Sequence, residues 1–258
     1  AMPDSGSYQN SDCVLPVVPM FHANAWAIPY ICAMVGAKFV FPGPFLDGES
    51  LLALYEKEQV TVSAGVPTIW LGLLQTLQQN PGKWQLVPGM RMTVGGSAVP
   101  ASLIKAYAEL DLEIIQGWGM TETSPVSTQT ALDDTIDRRC GTVGRVMPHL
   151  EVKIVDPETG AVVPRGTSGE FCTRGYSVMS GYWENPEKTA EAIDSGHWMH
   201  TGDLAVMDDD GYLNIVGRIK DMIIRGGENV YPREIEEFLY THPSVADVQV
   251  IGVPDIKY

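Results

Sequence analysis

Residues 90–123 read MRMTVGGSAVPASLIKAYAELDLEIIQGWGMTET. Met90–Val94 is an apolar strand stopped by Gly95-Gly96. Pro100, a residue that suits the first turn of a helix, opens a helical stretch through Leu110. Glu113–Gln116 is the next strand, stopped by Gly117. Strand, glycine turn, helix and strand in so short a span make a βαβ unit, which requires a parallel sheet. The same alternation extends toward the N-terminus. Ala37–Phe41 reads as a strand, Leu51, Leu52 and Tyr55 have helical spacing, and Val60–Ala64 is a strand. Pro67 then opens a helix carrying Leu71, Leu73, Leu74 and Leu77.

Beyond Cys140 the texture changes to short strands and turns. Glu151–Val155, Gly169–Thr173, Leu204–Met207 and Tyr212–Val216 read as strands. Asp156–Gly160 is a turn cluster, Asp208–Gly211 a hairpin turn, and Asn185-Pro186 an N-cap pair opening a short helix. From Gly217 a further unit begins: strand Met222–Ile224, a Gly-Gly turn, helix Pro232–Tyr240 and strand Val245–Val253. The expected fold class is therefore α/β. A parallel-sheet βαβ subdomain spans residues 1–140, a small β-barrel-like subdomain spans 141–217, and a smaller α+β C-terminal domain starts at 218–258.

Composition narrows the function. Of 258 residues, 45% are hydrophobic and 19% charged, enough apolar material for a packed core and too much for a disordered chain. Seventeen Lys and Arg against 32 Asp and Glu give a net charge of −15, which repels phosphate backbones and anionic lipid and argues against nucleic-acid partners. The apolar run Ala25–Val35 is too short to span a membrane. Four cysteines, at 13, 32, 140 and 172, form no CxxC pair and fit a reducing, cytoplasmic setting.

Several short segments have chemical potential. Gly95-Gly96-Ser97-Ala98 exposes main-chain N–H groups after a strand, although a tight βα turn has the same sequence. In Gln116-Gly117-Trp118-Gly119-Met120-Thr121-Glu122, Thr121 can bond a phosphoryl oxygen and Glu122 can hold Mg²⁺, but a core Trp and a solvated loop acid read equally well. Asp203 can accept ribose hydroxyls or simply cap a turn. Arg218 can reach a phosphate or ribose, or be a surface charge. His22, in an apolar context, also suits a satisfied structural histidine.

The order of these segments is more telling than any one of them. Pro19-Met20-Phe21-His22, Gly95–Ala98, Gly117-Trp118-Gly119-Met120-Thr121-Glu122, Gly169-Glu170 through Trp183, Trp198–Asp203, and Gly217–Asp221 through Pro232 together resemble the adenylate-forming superfamily across essentially the whole chain. That superfamily comprises acyl-CoA synthetases, adenylation domains of peptide synthetases and luciferases. Within it, Pro19–Trp26, Gly65–Trp70 and Trp118 are most similar to bacterial fatty-acyl-CoA ligases, including ligases for methylthiopropionate.

The resemblance implies a two-step reaction in which a small carboxylic acid, ATP and coenzyme A are the partners, with Mg²⁺ as cofactor. It implies catalytic roles for Thr121, Glu122, His22 and Lys220. Glu122 would hold the metal, His22 and Trp118 would border the acyl group, and Lys220 would be the hinge of the small domain. Gly96, Ser97, Ala98, Gln116, Gly117, Gly119 and Met120 would line the adenine and phosphate side. Asp203 and Arg218 would hold the ribose, and Gly226 and Gly227 would lie by the pantetheine path. The family's phosphate loop and terminal catalytic lysine have no counterpart here, so the resemblance implies the middle of a longer protein. A homodimer stays open. The resemblance also leaves room for an adenylation domain that loads a carrier protein, and for a non-catalytic nucleotide-binding fragment.

Overall fold

Two-sided burial shapes the first half of the chain. In the computed structural model, which describes residues 8–97, 99–225, 228–240, 242, 245 and 248–253, the chain divides into two compact units, Ala1–Met147 and Pro148–Tyr258. In chain order, the first unit contains β1 (Cys13–Pro16), α1 (Ile28–Val35), β2 (Lys38–Phe39), α2 (Gly48–Glu58), β3 (Val62–Gly65), α3 (Pro67–Gln79) and β4 (Met90–Val94). It continues with α4 (Ala101–Ala108), β5 (Leu112–Gly119), β6 (Val126–Gln129), α5 (Ile136–Gly141) and β7 (Arg145–Val146). One seven-stranded sheet runs β2-β1-β3-β4-β5-β6-β7, parallel from β2 to β5 and antiparallel at β6 and β7. Pairing with β6 carries the first unit past residue 140, to β7.

Alternate residues of the strands go to opposite faces. Cys13 and Leu15 join Met90, Met92 and Val94 in a cluster covered by α2, α3 and α4 through Leu51, Tyr55, Trp70, Leu73, Leu103 and Tyr107. Val14, Val62 and Ala64 face the other way, against Ile28 and Cys32 of α1. Covering on both faces is what a parallel sheet needs. Each fully buried large apolar side chain contributes about 1.5–3 kcal/mol. The polar ends of the buried tyrosines are satisfied: Tyr55 Oη donates to Ser63 Oγ (2.8 Å), which donates to the Leu15 carbonyl (2.6 Å), and Tyr107 Oη donates to the Trp70 carbonyl (2.7 Å). At the amino end of the strands, buried Asp12 accepts from Thr61 Oγ1 (2.8 Å) and pairs with Arg91.

The second unit begins with β8 (Leu150–Val155), β9 (Gly169–Gly175), α6 (Pro186–Ala192), β10 (Met199–Met207) and β11 (Leu213–Arg218). The four strands form an open antiparallel sheet, order β11-β10-β9-β8. The expected N-cap is present, Asn185 Oδ1 accepting from Lys188 N–H at 3.0 Å. So is the hairpin turn, closed by Gly211 N–H to the Asp208 carbonyl at 3.1 Å. A hairpin of β12 (Ile223–Arg225) and β13 (Glu228–Val230) then leads to α7 (Pro232–Leu239). Where a strand was expected over Val245–Val253, the described residues form none. Two of their amides bond side chains instead: Val250 N–H donates to Glu236 Oε1 (2.7 Å) and Val248 N–H to Tyr240 Oη (3.4 Å).

Several elements escaped the sequence reading, among them β1, β6 and a turn between β1 and α1. β1 and its approach, Cys-Val-Leu-Pro, have no alternation and contain a proline. β6 is rich in hydroxyls, yet Ser127 and Thr128 are fully buried. Most unusual is Ala23–Trp26, one helical turn of left-handed sense, with φ between 45° and 60° from Ala23 to Ala27. Left-handed conformation costs an L-residue roughly 1–2 kcal/mol. Replacing Ala27 by glycine relieves that strain at its position. Ala27→Gly should therefore raise the unfolding free energy by about 0.5–1 kcal/mol net of glycine's entropy, measured by urea denaturation; destabilisation would show that the turn is not left-handed in solution.

Candidate functional site

In the first unit, three of the segments singled out from sequence leave adjacent parts of the parallel sheet at the strands' carboxyl ends, where α/β sheets bind ligands. His22 follows β1, Gly96 and Ser97 follow β4, and Gly117–Glu122 ends β5. Gly95 brings them together. A Cβ placed there would lie 3.1 Å from the Gly117 carbonyl oxygen and 3.6 Å from the Trp26 ring. Gly96 (φ 85°) and Ser97 are exposed, with their main chain presented at the edge. Ala98 lies outside the described residues. His22 is exposed and directly precedes the left-handed turn.

Gln116 is buried and its side chain is already engaged, its amide donating to the Arg139 carbonyl at 2.5 Å. Its own main-chain N–H goes to Thr130 Oγ1 (2.9 Å). Arg139, buried in α5, also pairs with Glu113 of β5. Gln116 thus ties β5 to α5, and Gly117, half-buried Trp118 and exposed Gly119 follow it toward the edge. Past Gly119 the chain makes a 3-10 turn, Thr121–Thr123. Thr123, fully buried, is its clamp: Oγ1 accepts from Met120 N–H (3.1 Å) and lies 3.0 and 3.1 Å from the Met120 and Pro125 carbonyls, to one of which it donates. The clamp leaves Thr121 exposed and Glu122 half-buried, neighbours on one turn. A hydroxyl beside a carboxylate is the hard oxygen chemistry that Mg²⁺ selects, so these residues suit that ion. Sequence reading passed over Thr123, whose signal was only a third residue in Thr-Glu-Thr.

In the second unit, Asp203 on β10 and Arg218 on β11 stand directly opposite each other. Arg218 Nε lies 3.0 Å from Asp203 Oδ1, with Asp203 buried and Arg218 exposed. The two residues assigned to ribose are therefore one ion pair. Asp203 ends a wide bulge. Opposite β9, pairing jumps from His200–Cys172 to Leu204–Glu170, so Thr201, Gly202 and Asp203 face Phe171 alone. The bulge's loose groups are collected locally. Glu170 Oε1 accepts from Gly202 N–H (3.1 Å), Thr201 Oγ1 donates to the Phe171 carbonyl (2.6 Å) and accepts from Asp203 N–H (3.1 Å). Glu170 was quoted from the sequence without a role, because nothing in a linear reading shows it reaching across to residue 202. Lys220 is exposed in a 3-10 turn, Ile219–Asp221, immediately after β11. Gly226 and Gly227 lie outside the described residues. No helix among the described residues is long and apolar enough to cross a membrane.

Comparison with known proteins places this chain among AMP-binding enzymes. The family described as AMP-binding enzyme matches residues 2–183. The Homo sapiens mitochondrial medium-chain acyl-CoA ligase ACSF2 is 40% identical over 240 residues, 92% of this chain and 39% of that protein. The long-chain-fatty-acid–CoA ligase of Thermus thermophilus is 38% identical over 264 residues, covering 99% and 48%. Among solved structures, ATP-bound MatB from Rhodopseudomonas palustris superposes with a TM-score of 0.85 at 31% identity, covering 96% of this chain and 48% of that one. The chain thus spans less than half the length of these relatives.

The Thr123 clamp gives a direct test. Thr123→Val keeps the shape but leaves Met120 N–H without its acceptor, which should cost about 1–3 kcal/mol. Thr121→Val, at an exposed position of the same turn, should stay within about 0.5 kcal/mol of the parent in the same denaturation experiment. Equal stability of Thr123→Val and the parent would remove the clamp.

Proposed function

The chain belongs to the AMP-binding enzyme family, and from that premise we propose that it serves an ATP-dependent acyl-CoA ligase acting on a fatty or other small carboxylic acid. One observation carries the reading: the carboxyl edge of the parallel sheet gathers an exposed glycine–serine turn and a Thr121–Glu122 turn, an arrangement suited to nucleotide main-chain contacts and a hard-cation carboxylate. The names of the similar proteins, acyl-CoA ligases in both cases, support the thiol acceptor.

A carboxylate cannot expel oxide. Attack of the substrate carboxylate oxygen on the α-phosphorus of ATP forms an acyl-adenylate, a mixed anhydride, and releases pyrophosphate. The coenzyme A thiolate then attacks the acyl carbon, and AMP leaves. In this scheme Gly96, Ser97 and Gly117 present main chain to the adenine, and Asp203, kept in place by Arg218, accepts the ribose hydroxyls. Thr121 donates to a phosphoryl oxygen, and His22 and Trp118 border the acyl group. Glu122 would hold Mg²⁺, which supplies charge neutralisation at the phosphates. Residues 218–258 start the small domain, with Lys220 at the hinge between half-reactions. Four free thiols support a reducing, cytoplasmic setting.

In the complete protein, Glu122→Gln should slow carboxylate-dependent pyrophosphate exchange about tenfold or more and raise the Mg²⁺ requirement, since an amide is a poorer ligand for a hard cation. An unchanged rate and Mg²⁺ dependence would sink the assignment. Product analysis with coenzyme A against a carrier protein separates the ligase from a carrier-loading domain.

Lys220→Pro should spare adenylate formation and suppress thioester formation, because proline fixes φ near −65° and blocks the rotation expected there. Equal loss in both half-reactions, followed separately by pyrophosphate exchange and thioester release, would make Lys220 structural.

A further inference from the structure

The proposed activity leaves unused a cluster of ligand-type side chains on the antiparallel sheet. Glu170 and Cys172 are two residues apart on β9 and so share a face, and His200 on β10 pairs directly with Cys172. His200 Nδ1 lies 2.8 Å from Glu170 Oε2 and 3.5 Å from Cys172 Sγ, and one oxygen, one nitrogen and one sulfur all fall within 4.8 Å of one another. We propose that Cys172, His200 and Glu170 form a binding site for a thiophilic divalent cation of the zinc class, with the fourth position taken by water.

Three observations carry the assignment. The first is spacing. With Zn–S near 2.3 Å and Zn–N near 2.0–2.1 Å, a tetrahedral S···N edge is about 3.5 Å, the separation present here between Cys172 and His200. The Glu170–His200 edge, at 2.8 Å, must open by roughly half an ångström, and the Glu170–Cys172 edge lies within 4.8 Å. The second is convergence. His200 Nδ1 lies within contact distance of both a carboxylate oxygen and a sulfur, so one nitrogen, one oxygen and one sulfur face a common point.

The third is the outer support, which metal-binding histidines and carboxylates ordinarily have. The other oxygen of Glu170 is fixed by Gly202 N–H. The other nitrogen of His200, Nε2, faces Asp194 Oδ2 at 3.7 Å. Asp194 Oδ1 is in turn held by the amides of Gly196 (2.8 Å) and Trp198 (2.9 Å). Cys172 is buried. On binding, the thiol loses its proton to solvent and a sulfur–metal bond forms. The imidazole binds through Nδ1 with its proton on Nε2, toward Asp194. Sulfur and imidazole donors select zinc-class ions and discriminate against Mg²⁺. Both Glu170 and His200 flank the bulge that carries Asp203, so occupancy would stiffen that segment.

The test is titration of the chain with Co²⁺, a coloured stand-in for Zn²⁺. One equivalent should produce a thiolate-to-cobalt charge-transfer band in the near ultraviolet together with the visible bands of a tetrahedral ion. One equivalent of Zn²⁺ should bleach both, and excess Mg²⁺ should change neither. Cys172→Ser should abolish the ultraviolet band, His200→Ala should weaken Co²⁺ binding by about tenfold or more, and Cys140→Ser should leave the spectrum intact. Absence of the ultraviolet band in the unaltered chain overturns the proposal without reference to any variant. So does a band that survives Cys172→Ser and disappears in Cys140→Ser.

Discussion

The carboxyl edge of the first unit depends on main chain approaching main chain more closely than a side chain permits. At Gly95 a Cβ would press within 3.1 Å of the Gly117 carbonyl, and at Gly119 it would sit 1.7 Å from the Pro125 carbonyl oxygen. The second of these is a clash that no rotation of a side chain can relieve, since the obstacle is backbone. These two absences of a Cβ let the ends of β4 and β5 and the turn at Thr121–Thr123 close on one another. What results is a surface of exposed main chain with Glu122 at one side and Trp26 against Gly95. The apolar cores on both faces of the sheet supply the rigidity that holds the strand ends at this spacing.

The second unit solves a different problem with a buried carboxylate. Three consecutive residues, Thr201–Asp203, have a single partner residue on the neighbouring strand, so their amides must be satisfied outside the ladder. Glu170 and the Thr201 hydroxyl do this. Placing Asp203 at the end of the bulge seats its carboxylate against Arg218 on the far side of β10. A charge so buried requires such a partner. The bulge is thus a positioning device for one carboxylate, and Glu170 serves it from the opposite strand while also meeting His200.

Much of this was legible in the chain itself. Strands β4 and β5 and helices α2 and α3 follow from apolar spacing and proline or glycine punctuation, and local physics decides such elements. The cap at Asn185 is equally local, its side chain accepting the main-chain N–H three residues on. The motif order Gly95–Ser97, Gly117–Glu122, Trp198–Asp203 and Gly217–Asp221 also indicated the family, because it preserves which loops follow which strands. The left-handed turn at Ala23–Ala27 was not legible: one asparagine, which tolerates that hand, stands among alanines and a tryptophan that do not favour it, and only packing against neighbours can impose the full turn.

By itself, then, the sequence determined the alternation of strands and helices, the parallel class of the first sheet, the antiparallel texture of the second half, and the residues to consider for a nucleotide. Tertiary structure decided which of them meet. It made Gln116 a tie to α5, revealed Thr123 as the clamp behind Glu122, joined Asp203 to Arg218, and set Glu170, Cys172 and His200 around one point. The physical reason is the same in each case. Propensity, capping and turn chemistry act over a few neighbouring residues, whereas cross-strand register and the satisfaction of buried polar groups link positions tens of residues apart and exist only once the sheets have formed.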